Sequence, residues 1–562
     1  MKKKMRGIRS AGTLLLVLIM LIGLIAGCSS NNPSGQSSPS TSPTTGTQGN
    51  EAAEGEVDYE AVVTVAMSSG WTDLIPYNNA AGGQYSNIVL GQIYDLLFYV
   101  GADGTVSPRA AKSWEQSEDQ LTATFYLDEG CMWHDGTPVT AEDYVFTVEL
   151  ITDPDCPANN KRVFDELAGV DENGVRDESE PLGIEALDEY TIRLTFDEPI
   201  NLEDLMTGGE LYIYAIPKHL LEGTDPADYL TNELWNNPIG NGPCVFESTV
   251  AGTQLTVRSN ENYQLGQPGF GTLIIEYMSN TNMASALIAG DIDFAYPAFG
   301  ADDVELCRNY DYLTVYRTST PTAPWMMVMS NVVYTDSRVR QAFSYALDRE
   351  LLCATLGSEN FEPMATPVYE GSQYYNPEYT WTYDPDRALE ILRECEADGT
   401  FSFDDVVTLY TPAGDREKAA AVVQQNLSDL GLTVEVMITE TAAMFGGMVD
   451  GEIGIGFANY SVQPNPMYFA SMTSNVGQSY VMCTTDMWDN YWSEFTSTSD
   501  PEERAQIMDS YQADWLEEQP SIFYACAYDT IAYNSRLGDN IYYEDLNSNG
   551  YNWATWNIQV TK

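Results

Sequence analysis

Period-two alternation marks two segments of this chain. Leu121, Ala123, Phe125 and Leu127 alternate with polar or smaller residues, and Tyr190, Ile192, Leu194 and Phe196 do so more cleanly. Successive strand side chains point to opposite faces, so both segments predict half-buried strands. Ala61 to Met67 is a denser β-rich run and predicts another. Elsewhere the apolar spacing is helical. Thr140-Ala-Glu-Asp143 predicts a helix start, with Asp in place of the usual Glu of a capping box. Asp384-Pro385 and Asp500-Pro501 each set an N-cap before a proline at the first helical position. Ala388, Ile391, Leu392 and Cys395 follow the first of these, and Ile507, Tyr511 and Trp515 the second. Val339, Phe343, Ala346, Leu347 and Leu351 predict one further amphipathic helix. Strands and helices mix along the whole chain without an internal repeat, which predicts an α/β or α+β protein of several lobes.

The N-terminal end follows neither pattern. Lys2, Lys3, Lys4, Arg6 and Arg9 precede an apolar stretch from Leu14 to Ile25 that Gly23 interrupts. It is too short for a comfortable membrane span and has the layout of a secretory leader. The run Leu24-Ile25-Ala26-Gly27-Cys28 at its end resembles the lipobox of bacterial lipoproteins. That resemblance implies a signal peptide over 1–27, cleavage after Gly27 and acylation of Cys28, which tethers the protein outside the cytoplasmic membrane. After Cys28, the rest of the segment 28–56 is Ser, Thr, Pro, Gly, Asn and Gln, followed by Glu and Ala. Nothing there can build a core, so the segment reads as a flexible tether.

Charge narrows the partners. The 562 residues carry 83 acidic against 25 basic side chains, a net of −58, and without the leader about −63. Such a surface repels nucleic-acid phosphates and anionic headgroups, so nucleic acid is excluded as a partner and the lipid must supply membrane attachment. Beyond Cys28 lie eight cysteines, none within twenty residues of another. No C-x-x-C redox or zinc motif exists, and disulfides and small buried thiols remain equally open. Two histidines, His134 and His219, are too few for a His-rich metal site. Asp545-x-Asn547-x-Asn549-Gly550 copies half a calcium loop, but Trp556 stands where the bidentate Glu belongs. No phosphate loop and no nucleophile elbow occurs. The reading is a protein that is not an enzyme and needs no cofactor or metal.

Four segments in order carry a more specific signal. They are Phe125-Tyr-Leu-Asp-Glu-Gly-Cys-Met-Trp-His-Asp-Gly-Thr-Pro-Val-Thr-Ala-Glu-Asp143, Pro238-Ile-Gly-Asn-Gly-Pro243, Ala289-Gly-Asp-Ile-Asp-Phe294 and Val339-Arg-Gln-Ala-Phe-Ser-Tyr-Ala-Leu-Asp-Arg349. Together they resemble the extracytoplasmic solute-binding proteins of family 5, the peptide and nickel receptors of ABC importers. Cys244 departs from the family's usual tyrosine. The resemblance implies an α/β fold of two lobes, periplasmic-binding-protein-like, with an extra subdomain on the first lobe. It places the first lobe at 57–105, 237–320 and 522–562, the extra subdomain at 106–236 and the second lobe at 321–521. Hinge crossings would fall at Thr318–Pro324 and near Pro520. It implies a receptor that takes a peptide or other small solute and hands it to ABC permease subunits in the membrane.

In peptide-binding relatives an aspartate of the second lobe pairs with the ligand's ammonium. The resemblance puts Asn459 at that place, within Gly456-Phe-Ala-Asn-Tyr-Ser-Val-Gln-Pro. Asn accepts a hydrogen bond but cannot neutralise a charge. The ligand is therefore blocked, cyclic or non-peptide, such as an oligosaccharide, or another carboxylate supplies the charge. Trp325, Phe457 and Tyr460 are candidate cleft walls from the second lobe, and Tyr85 and Asn87 are candidates from the first. A secreted hydrolase or an envelope chaperone are the competing classes.

Overall fold

A computed structural model describes residues 56–562 except 79–82, 102–104, 208–210, 297–299, 319–320, 331–332, 460–485 and 539–554. Cys28, Tyr460, Cys483 and residues 545–554 of the calcium-like loop lie outside the described residues. In chain order the strands are β1 (Val62–Met67), β2 (Phe98–Val100), β3 (Val106–Pro108), β4 (Ala111–Gln116), β5 (Thr122–Leu127), β6 (Ile184–Asp188), β7 (Thr191–Thr195), β8 (Cys244–Val250), β9 (Gln254–Ser259), β10 (Thr272–Tyr277), β11 (Phe294–Tyr296), β12 (Leu313–Arg317), β13 (Ala323–Met329), β14 (Phe361–Pro363), β15 (Val406–Thr411), β16 (Thr433–Ile438), β17 (Ile455–Asn459), β18 (Ser521–Ala527) and β19 (Thr530–Asn534).

These strands form two bodies. In the first, a five-stranded sheet takes the order β11-β1-β10-β9-β8, with β1 parallel to both β10 and β11. A four-stranded antiparallel sheet, β4-β5-β7-β6, belongs to the same hydrophobic core. The alternation read in the sequence is its inner face: Ala123, Phe125 and Leu127 of β5 and Ile192 and Leu194 of β7 are buried. In the second body, a six-stranded sheet takes the order β14-β18-β13-β17-β15-β16. One face carries Met327, Met329, Ile522 and Phe457 against the helices Ser337–Ala346, Pro385–Asp398 and Asp415–Asp429. The other carries Met326, Val328 and Phe523 against Thr441–Val449, Asp486–Ser497 and Pro501–Glu518. A strand buried on both faces reads as a continuous apolar run, which is what Met326–Met329 is.

Helix starts follow the caps. Asp384 accepts from the Arg387 N–H at 2.9 Å, and Asp500 from the N–H groups of Glu502 and Glu503 at 2.9 and 3.1 Å. The Asp143 carboxylate accepts from the Thr140 N–H at 2.8 Å, so Asp completes the capping box. One expected helix is two. Ser337–Ala346 ends at Leu347, and Asp348 starts Arg349–Leu356 by accepting from the Leu351 N–H at 2.9 Å. A capping side chain bonds backbone that a continuous helix would bond itself, so the break falls there. Leu351 turns outward, 46% exposed.

The family-like segments are clamps in this framework. Arg340, buried, donates from Nε to the Glu518 carbonyl at 3.0 Å and from Nη1 to the Tyr334 carbonyl at 2.7 Å, closing the last turn of Pro501–Glu518. Arg349 donates from Nε to the Phe523 and Met364 carbonyls at 2.9 and 3.1 Å and from Nη1 to the Ser344 carbonyl at 3.1 Å. Burial pulls its pKa down to about 9. Asp293 receives Arg536 Nε at 2.7 Å and the Thr64 N–H at 3.0 Å, tying β1 and β11 to the end of β19. Gly240 and Gly242 pack on the end of the helix Gln84–Ile93, where a Cβ on Gly240 would lie 1.9 Å from the Ile93 carbonyl oxygen. His134 joins two of these segments, taking the Gly240 N–H on Nδ1 at 3.3 Å and meeting the Gly242 carbonyl with Nε2 at 3.1 Å.

Two chain crossings join the bodies. The first lies between the end of β12 at Arg317 and the start of β13 at Ala323, so Ala323 and Pro324 of the expected Thr318–Pro324 belong to the strand, and residues 319–320 lie outside the described residues. The second runs from β18 to β19 at Tyr528–Asp529, beyond the expected Pro520, because β18 pairs with β13 and β14 in the second sheet. The crossings bond to each other. The Thr318 N–H donates to the Asp529 carbonyl at 2.8 Å and the Thr322 N–H to the Ala527 carbonyl at 2.7 Å. The paired strands β12/β19 and β13/β18 lie on either side of these two bonds, which tie the crossings into a ribbon. Arg317, at its first-body end, bonds Glu362 of β14 at 2.8 Å and lies 3.6 Å over the Tyr528 ring.

Candidate functional site

Parallel strands give each sheet a defined carboxyl edge. In the first body this edge holds Met67, Tyr277 and Tyr296, the last residues of β1, β10 and β11. In the second it holds Thr411, Ile438 and Asn459, the last residues of β15, β16 and β17. Open α/β sheets bind ligands outside their carboxyl ends, where the loops and free backbone groups gather.

Both edges reach the crossing ribbon. On the first-body side, Tyr85 bonds Ser68 through their hydroxyls at 2.8 Å, and its ring meets that of Tyr296 at 5.6 Å and 63°. Ser68 donates its N–H to the Tyr296 carbonyl at 3.0 Å. Burial raises the Tyr296 phenol above its ordinary pKa, and Tyr85 and the crossing's Asp529 push it further the same way. On the second-body side, Asn459 is the register partner of Trp325, and Trp325 in turn faces Ala525 of β18. Ala323, two residues earlier, faces Ala527 beside the crossing.

Five of the expected residues sort clearly. Tyr85, Trp325 and Asn459 are half-buried at these edges. Trp325 stands edge-on to Phe361 at 5.2 Å, and its indole N–H is buried without a partner among the described residues. Phe457 is fully buried and packs on Tyr524 at 6.1 Å, so it is core rather than cleft wall. The reason is its place inside a strand covered on both faces. Asn87 follows Tyr85 by two helical positions, roughly 200° around the axis. It is buried at 5% exposure and does not share the Tyr85 face. Ser68, Tyr296 and Asp529 were not singled out in the sequence. The signal that could have found them is position, immediately at the ends of apolar strand runs.

Among the described residues no group of three His, Cys, Asp or Glu side chains could hold a metal, and no helix is long and apolar enough to cross a membrane. The seven described cysteines are all buried free thiols. His134 is held neutral, its pKa lowered to about 4 by burial, and serves the framework.

Two α/β bodies joined by a paired crossing, with both carboxyl edges turned to it, define a two-lobed solute-binding protein. The chain matches the family described as bacterial extracellular solute-binding proteins, family 5 Middle, over residues 105–480, and it belongs to that family. A Brucella abortus protein whose name provisionally assigns it to ABC-transporter peptide binding is 27% identical over 369 residues, 63% of this chain; the match spans just under two thirds of that relative, 66%. The oligopeptide-binding protein AppA of Bacillus subtilis is 25% identical over 468 residues, 78% of this chain and 81% of its own. The AppA structure in complex with a nonapeptide aligns with a TM-score of 0.65 at 21% identity, covering 90% of this chain and all of that one. The ABC-transporter substrate-binding protein CtaP of Listeria monocytogenes aligns at 0.71 and 23% identity, covering 85% and 95%. These likenesses establish the two-lobed fold. The family consists of extracytoplasmic binding proteins of ABC transporters, which are not enzymes.

Proposed function

We propose that this protein is the lipid-anchored receptor of an ABC importer, closing its two lobes on a peptide-like solute and delivering it to the permease. The observation that carries the reading is the convergence of both carboxyl edges on one crossing ribbon. A solute lodged there touches Tyr85 on one lobe and Trp325 and Asn459 on the other, so its binding energy depends on the lobes coming together. That dependence shifts the population toward the closed arrangement. Lipid attachment through Cys28 keeps the receptor near the permease.

A second reading rests on one residue. Asn459 ends β17, and the family resemblance puts it where a carboxylate would pair an ammonium; an uncharged amide there suits a capped peptide, an oligosaccharide or another neutral solute.

Native mass spectrometry of the purified protein reads any co-purified solute directly. Solution scattering with that solute removed and restored then reads closure. At a hundredfold excess over its dissociation constant the solute stabilises the fold by about 2.7 kcal/mol and reduces the radius of gyration. Tight binding without compaction would overturn the reading.

A further inference from the structure

Asp204 and Arg504 stand 300 residues apart in the chain and meet in a buried ion pair, with side chains only 4% and 7% exposed. They belong to different bodies. Asp204 lies on the helix Leu202–Thr207, whose Leu202, Leu205 and Met206 enter the first core. Arg504 lies on Pro501–Glu518, whose Met508, Tyr511 and Trp515 enter the second. The contact is two-pronged: Nη1 donates to Oδ1 at 2.6 Å and Nη2 to Oδ2.

Each half is set by its own body. Arg504 donates from Nε to the Thr498 carbonyl at 2.7 Å and from Nη2 to the Phe495 carbonyl at 3.3 Å, and its guanidinium lies 4.4 Å over the Phe495 ring. The Asp204 N–H donates to Asn201 Oδ1 at 3.2 Å. Beside the pair, Gln120 donates to Ser499 at 3.1 Å, again from one body to the other.

A buried ion pair adds little net stability over two hydrated charges, but an unpaired buried charge is costly. A planar fork against a carboxylate is satisfied in one relative orientation. Lobes that close in that register pair both charges. Lobes that close out of register bury them unpaired, and lobes that part return them to water.

We propose that Asp204 and Arg504 form a latch, which fixes the register in which the two lobes close. The latch stands whether or not the solute is a peptide.

Scattering of the solute-free, full-length protein tests this. D204N and R504K each increase the radius of gyration relative to the native chain, with circular dichroism unchanged. D204L/R504M, which removes both charges and leaves neither unpaired, returns it to near the native value. If the single variants scatter like the native protein, or if the apolar pair opens as far as they do, charge pairing does not govern closure and the latch is wrong. Should D204N fail to fold, R504K, which keeps the charge, and the double variant read the same quantity.

Discussion

Trp325 and Asn459 are direct register partners on β13 and β17. Opposed residues on neighbouring strands hold their Cβ atoms about 5 Å apart and share one face of the sheet. An aromatic wall and a neutral amide therefore stand side by side at the edge of the second lobe, and no carboxylate comes between them in the ladder.

Asn459→Asp tests what that amide does. If it faces the solute's end group, the Asp variant gains affinity for free-amine peptides by about 1.5–3 kcal/mol, the range of a charge-assisted hydrogen bond. Peptides acetylated at the amine gain nothing. Calorimetry of matched free and acetylated peptides against both proteins separates the cases. A native protein that already prefers the free amine, with no change in the variant, places the ammonium elsewhere.

Lipid attachment has its own test. Cys28→Ser removes the thiol that would be acylated, so the variant accumulates unprocessed or leaves the membrane fraction. Fractionation with mass measurement of the N-terminus checks it. A processed Ser variant that stays with the membrane contradicts the anchor.

Gly240→Ala should be severely destabilising, by roughly 3 kcal/mol or more, since its Cβ would lie 1.9 Å from the backbone oxygen of Ile93, which has no free rotor to give way. Gly266 is a control: a Cβ there meets nothing within 4 Å, and the cost is only that of φ +103, about 1–3 kcal/mol. Urea midpoints of the two variants should differ in that order.

The framework segments explain what the sequence could and could not reveal. Arg340, Arg349, Asp293 and Gly240 are legible because each needs one residue type: a guanidinium for several carbonyls, a carboxylate for an arginine, a glycine for close approach. Those demands recur wherever the fold recurs. The capped helices at Asp384 and Asp500 and the alternating strands were legible for a similar local reason. Phe457 was misplaced because a five-residue strand buried on both faces has no polar side to reveal its direction. Ser68, Tyr296 and Asp529 have only their position at the ends of apolar strand runs to mark them, a signal every strand end shares; the meeting of two sheet edges is what brings them together. The break at Leu347–Asp348 was hidden because both helices keep apolar residues in the same spacing.

Stability should depend on pH through His134. Its pKa in the folded protein is about 4, below an ordinary histidine, because burial disfavours the charged ring. The unfolded chain binds the extra proton first, so His134 contributes its stability fully above about pH 6.5 and loses it as pH falls toward 4. The loss amounts to about 3 kcal/mol at most. Urea unfolding at pH 7 and pH 4.5 checks it against His134→Gln. The variant should be less stable than the native protein at pH 7, and the gap should narrow in acid; an unchanging gap would count against the assignment.

The ribbon through Thr318, Thr322 and Asp529 behaves like a leaf spring. A two-stranded ladder resists sliding, because every sliding step breaks its hydrogen bonds, yet it flexes across its thin direction. Two crossings bonded in this way favour bending of the lobes over sliding. Solutes of different bulk would stop the bend at different angles along the same path, so one receptor could grade its closure by solute size without any sideways rearrangement of its walls.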